Sequence, residues 1–267
     1  MKISSLIVLF ISLSFLGLAQ VEENETDTTK IVLGGGNELI LIKKTDSTQD
    51  TDSVKPKNVD DDFTYWSGVE LGFTGISMTN QVKSDYEWFE IDNAKSVAVN
   101  LNVLEKKIPL IKHYLGINTG LGFTWQDYVF NDTLSIINMN GDSLIAMNAD
   151  PIKFSKNKLK TGYLTIPLIL EVNTSKTKSK NFHIAAGFIA GWNYRQLLKQ
   201  QYELNGDKVK NKTKGDFNVN PWSLALTTRF GYGDFNIFAN ANVTSLFEED
   251  QGPEAYPFTV GVTLAAF

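Results

Sequence analysis

The sequence predicts an all-β chain: an eight-stranded antiparallel up-and-down transmembrane β-barrel, with ten strands as the alternative. Three observations carry that expectation. Apolar and polar or small residues alternate with period two from Phe63 onward, aromatic residues gather at both ends of the apolar faces, and short connections alternate with long ones.

Composition narrows the classes further. With 42% hydrophobic and 21% charged residues in 267, the chain is neither disordered nor a helical membrane protein. No apolar run of transmembrane-helix length follows the N-terminus, but barrel strands are half polar and need none. Cysteine is absent, which removes disulfides, zinc-thiolate sites and Cys nucleophiles and suits an oxidising periplasm. Two histidines argue against a multi-His metal site, and a net charge of -5 argues against nucleic acid. Neither a cofactor nor a metal is expected.

The N-terminal elements come first. Lys2, the apolar stretch Leu6–Leu18 and Ala19 read as a signal peptide over residues 1–20. Residues 21–62 carry eleven acids against five lysines, a charge of -6, and read as a disordered, acidic periplasmic tether. Inside it, Ile31–Leu33 and Leu39–Ile42 flank Gly34-Gly35-Gly36, which suggests a small hairpin or a partner-docking strand. A phosphate loop would need a following Lys-Ser/Thr and a helix.

The barrel occupies residues 63–267. Its first apolar set is Tyr65/Val69/Leu71/Phe73, alternating with Trp66, Gly68, Glu70, Gly72 and Thr74. The second is Val97/Val99/Leu101/Val103 and the third Leu115/Ile117/Leu121/Phe123/Trp125. Then come Leu164/Ile166/Leu168/Leu170/Val172 and Phe182/Ile184/Phe188/Trp192. The last three are Trp222/Leu224/Leu226/Phe230, Phe235/Ile237/Ala239/Val243 and Phe258/Val260/Val262/Leu264. Opposite faces are mostly Gly, Asn, Thr and Ser, which suit a crowded barrel interior better than a solvated sandwich face.

Aromatic placement is a separate test. With the first strand running outward, Trp125, Trp192, Trp222 and Tyr256 fall at the upper ends of the apolar faces, and Tyr65, Phe182, Tyr232 and Phe235 at the lower ends. Two such girdles bound the lipid-facing band of an outer-membrane barrel. The even-to-odd turns are short, at 106–111, 175–180 and 231–234. The other connections are long, and Asn140-Gly141 and Asn205-Gly206 mark hairpins within them. If Leu134–Met147 lay in the membrane, the count would be ten.

Two residues fit less simply. Pro167 lies mid-strand and calls for a local bulge. Phe267 falls on the inward parity, so a bulge or twist must turn it outward.

Several local motifs resemble the small outer-membrane β-barrel proteins of Bacteroidetes, loosely called PorT-like. They are Trp66-Ser67-Gly68-Val69-Glu70-Leu71-Gly72, Tyr163-Leu164-Thr165-Ile166-Pro167-Leu168, Ala185-Ala186-Gly187-Phe188 and Gly252-Pro253-Glu254-Ala255-Tyr256-Pro257-Phe258. The resemblance covers Phe63 to Phe267. It implies an eight-stranded barrel in the outer membrane, and a few relatives take part in protein secretion or gliding.

The function expected is a non-enzymatic envelope component in contact with outer-membrane lipid. Residues 21–62 and the long loops would meet periplasmic or surface proteins. A small porin-like channel is one alternative, although eight strands leave room only for side chains and Trp66, Tyr114, Tyr163 and Phe238 point inward by parity. A lipid-modifying barrel enzyme is another. It would need a nucleophile beside a base, and His113 and His183 both fall at the periplasmic end. By parity Glu70, Glu171 and Arg229 lie in the lower half of the lumen, where one guanidinium would bridge both carboxylates in a structural ionic cluster.

Overall fold

The structure, a computed structural model, describes residues 26–33, 37–44, 65–80, 86, 89–130, 134–139, 143–148 and 153–266. For 26–33, 37–44, 134–139 and 143–148 it describes the backbone alone. The expected signal peptide and Phe267 lie outside these residues.

The chain divides into two units, Met1–Lys55 and Pro56–Phe267. In the first, Thr26–Leu33 (β1) pairs antiparallel with Asn37–Lys44 (β2), from Thr26 opposite Lys44 to Leu33 opposite Asn37. The two apolar runs beside the glycine triplet are thus facing arms of one hairpin.

The second unit begins with Gly68–Ser77 (β3), Val97–Ile111 (β4) and Leu115–Val129 (β5). Two short strands follow, Leu134–Met139 (β6) and Ser143–Asn148 (β7), and then the long Phe154–Asn173 (β8) and Phe182–Leu204 (β9). Asp207–Lys214 (β10), Trp222–Tyr232 (β11), Phe235–Asn242 (β12) and Tyr256–Ala266 (β13) complete it. Eight of these form an antiparallel ring in the order β3-β4-β5-β8-β9-β11-β12-β13, closed by β13 on β3. A closed ring leaves no edge with unpaired backbone groups, which is what a hydrocarbon environment demands. β6 and β7 pair only with each other, so the ten-strand alternative falls.

Period-two patterning produces the two faces. Phe73, Trp222 and Phe235 stand outward at 65%, 63% and 64% exposure, while Glu70, Asn100, Thr165 and Thr227 on the other face are buried. Trp192 lies opposite Trp222 at one end of the band, with Trp125 and Tyr256 on the same rim. At the other end Tyr232 lies opposite both Phe182 and Phe235. Short connections gather at that second end: 112–114, 174–181 with a 3-10 turn at Lys178–Lys180, and the two residues Gly233-Asp234. We call it the turn end, and the opposite one the loop end.

Four expectations need correction. The turn expected at 106–111 is strand, because β4 stays paired with β5 to Ile111 and the chain reverses at Lys112–Tyr114. Tyr114 therefore sits in a turn, 41% exposed, and not in the lumen. Tyr65 belongs to neither girdle; it is buried inside the barrel at 3% exposure. Its displacement has a backbone cause: Gly68 has φ +147°, and a Cβ there would land on the Ala265 carbonyl oxygen. That conformation turns Tyr65, Trp66 and Ser67 into the lumen and ends the alternation. Finally, Pro167 needs no bulge. β5 and β8 keep one register on both sides of it, and only the pairs at Gly120–Leu121 drop out of the ladder.

The bulge called for near the C-terminus is present, at Leu264, between the pairs Thr263–Glu70 and Ala265–Val69. Others lie at Val103 in β4 and Tyr194 in β9. Beyond the ring, β8 and β9 run on together and β10 folds back on β9, so a three-stranded blade rises from the loop end.

Candidate functional site

The site is the lumen, which side chains fill in layers from the turn end upward. Tyr65 stacks on His183 with ring centroids 3.4 Å apart, and its hydroxyl accepts from Asn181 at 2.9 Å. The His183 ring also bonds Asn236. Next comes Glu171, 1% exposed, which accepts from Lys107 Nζ at 3.0 Å, Asn118 Nδ2 at 2.6 Å and Asn173 Nδ2 at 2.7 Å. Three donors on one buried carboxylate offset its desolvation. Gly116 gives the Lys107 stem its room, since a Cβ there would lie 2.8 Å from Lys107 Cε.

Above it the Trp66 segment crosses the bore. Glu105 accepts from the backbone N–H groups of Trp66 and Ser67, both at 2.8 Å, and Asn102 Nδ2 donates to the Trp66 carbonyl at 2.9 Å. The Trp66 ring is a platform for Arg229, whose Cζ lies 4.6 Å from its centroid and 5.6 Å from that of Phe238. Arg229 donates to both oxygens of Glu70, which also accepts from Asn100 at 2.9 Å.

A polar cavity of about 40 Å³ follows, lined by Asn100, Thr124, Gln126, Tyr163, Thr165 and Asn240 among others. That is the size of a few waters at most, not a passage. Its ceiling is apolar: Phe89, Tyr128, Phe130, Leu159, Leu198, Phe217, Val219, Leu246 and Phe247 pack into one buried cluster. Phe89 meets Phe130 and Phe247 edge to face, with centroids at 5.6 and 5.3 Å. The loops after β3, β10 and β12 thus meet the ends of β5, β8 and β9 over the bore.

A closed ring with an outward apolar band and a packed polar interior is a transmembrane barrel, and the family comparison agrees. The outer membrane protein beta-barrel domain matches residues 44–247. The chain belongs to that family. It is accordingly an integral protein of the outer membrane. No curated protein and no solved structure matches it.

Within this outer-membrane β-barrel the anticipated three-residue cluster splits in two. Arg229 and Glu70 pair as expected, but Glu171 bonds Lys107 instead. Arg229 and Glu171 each lie opposite Ala185 on β9, from its two sides. They are therefore two strand spacings apart, about 9–10 Å, and the guanidinium is held on the Trp66 side. Lys107 was missed because the alternation through Val103 puts it outward; the bulge at Val103 flips the parity and turns Glu105 and Lys107 in. Phe89, Phe217 and Phe247 lie in connections where no periodicity marks them. Trp66, Tyr163 and Phe238 do point inward, as their parity indicated.

Proposed function

We propose that this barrel is a closed, non-enzymatic component of the outer membrane, with its turn end and residues 21–62 toward the periplasm and its loop end outward. One observation carries the reading. The bore is blocked twice, by the Trp66–Arg229–Glu70 layer and by the aromatic ceiling, so the surfaces at its two ends are what it offers to the envelope. The histidine chemistry points the same way, since His183 is spent on Tyr65 and Asn236 deep in the turn-end half. Contacts with periplasmic or surface proteins fall to residues 21–62 and the long loops, and a link to secretion rests on the resemblance to PorT-like barrels alone.

Planar-bilayer recording of the purified full chain tests the closed reading. No steady conductance is expected above the lipid baseline, and a stable open level would overturn it. Proteolysis of intact cells tests the orientation. Cuts are expected in the loop-end connections, and protection of those loops with cleavage at 174–181 would reverse it.

A further inference from the structure

The blade above the loop end carries an unusual face. The bulge at Tyr194 reverses parity in β9, so Arg195 and Lys199 continue the outward side that Trp192 leaves. Across the three strands Lys158, Lys199 and Lys212 stand directly opposite one another in a single row. The row below pairs Lys160 and Lys214 across Leu197, and the row above pairs Lys156 and Lys210 across Gln201. The other face is buried through Asn157, Leu159, Thr161 and Leu198.

Like charges directly opposite on a sheet destabilise it, so three such rows need a counter-charge. The protein supplies little of it. Asp127 takes Lys158 and Lys160, and among the described residues no ion pair reaches Lys199, Lys210 or Lys212. On this blade, outside the membrane band, burial and then the ammoniums of Lys158, Lys160, Lys156 and Lys212 hold Lys199 below the usual lysine range.

Depth identifies the occupant. Trp125 lies opposite Gly162, which faces Arg195, so this level is the aromatic rim. The Lys160 row is two residues further along the strand and the Lys158 row four, about 7 and 14 Å at 3.4 Å per residue. Strand tilt of roughly 35–45° shortens both heights, which places these rows at and just above headgroup depth. The face lies on the same outward side of the sheet as Trp192 and Phe188, both exposed.

We infer that this lysine face binds the phosphate groups of phosphorylated glycolipid headgroups in the leaflet at the loop end. The inference rests on the outer-membrane reading with the loop end outward. Compact ammoniums suit phosphate as point charges, and the aromatic rim below seats the acyl region.

The test compares the full chain with its Lys199→Gln/Lys210→Gln/Lys212→Gln variant in phosphatidylcholine nanodiscs. The discs are doped with bisphosphorylated lipid A, with its dephosphorylated form, or with phosphatidylglycerol; inorganic phosphate is a separate arm. Native mass spectrometry counts retained lipid, and heat-modified gel migration reports the fold. Retention of bisphosphorylated lipid A, at least tenfold weaker in the variant, with the other arms near baseline, supports the inference. Equal retention by the variant, or by dephosphorylated lipid, overturns it. So does an equal effect of inorganic phosphate or phosphatidylglycerol, or charge-dependent self-association in undoped discs. Nanodiscs expose both leaflets, so this result is independent of orientation, which the proteolysis of intact cells decides separately.

Discussion

Arg229 holds Glu70 across the lumen through both terminal guanidinium nitrogens, on strands that neighbour each other nowhere in the ring. The pair ties β11 to β3 through the interior. Arg229→Leu leaves a carboxylate with 0% exposure short of its partner, and breaking a buried pair costs about 3–5 kcal/mol. A marked fall in the heat-modification temperature is expected. Adding Glu70→Gln should recover part of it, and an unchanged temperature in Arg229→Leu would sink the pair's structural role.

Glu171 is a separate unit. Lys107→Met should lower the same temperature by a similar amount, because it removes the cation from a 1% exposed carboxylate. Arg229→Leu and Glu171→Gln share no hydrogen-bond partner, so a double-mutant cycle should be additive within about 0.5 kcal/mol. Coupling well beyond that would mean the two charge sites communicate.

Glycine substitutions separate backbone demand from mere presence. Gly68→Ala forces a side chain into a φ of +147° and against the Ala265 carbonyl, with roughly 1–3 kcal/mol from the backbone alone. Gly215 has nothing within 4 Å of a Cβ, so Gly215→Ala should melt with the parent. Thermal gel migration of both variants checks the contrast, and equal behaviour would refute it.

The two closures of the bore should be independent. Phe247→Ala removes a fully buried ring from the ceiling at about 3–5 kcal/mol of local packing. Faster protease cutting in the loop-end connections is expected, with no steady conductance, because Trp66, Arg229 and Glu70 still fill the bore below. A conducting Phe247→Ala barrel would show that the lower layer leaks.

The ring was legible because hydrocarbon on one side and crowding on the other write period two into eight segments. Trp192 and Trp222 marked one rim by parity alone, and Phe182, Tyr232 and Phe235 the other. What could not be read turns on single residues that break the period. Val103 inverts the parity of Glu105 and Lys107 in β4 and so conceals Lys107; Gly68 redirects Tyr65; Tyr194 sets which way the blade's lysines face. A bulge costs one residue and leaves no compositional mark. The ceiling was hidden for another reason: Phe89 and Phe247 reach one another only because the ring brings their loops together.

Closure of β13 on β3 has a kinetic consequence. Thr259 donates to Thr74 over a sequence separation of 185 residues, so the first barrel strand waits for the last. Until then both strands are open edges, and every outward leucine and phenylalanine faces whatever solvent surrounds the chain. Such high contact order makes slow, late-committed folding the rule. In that unfinished state the open edges and apolar faces leave the chain prone to association, and closure of the ring removes both at once.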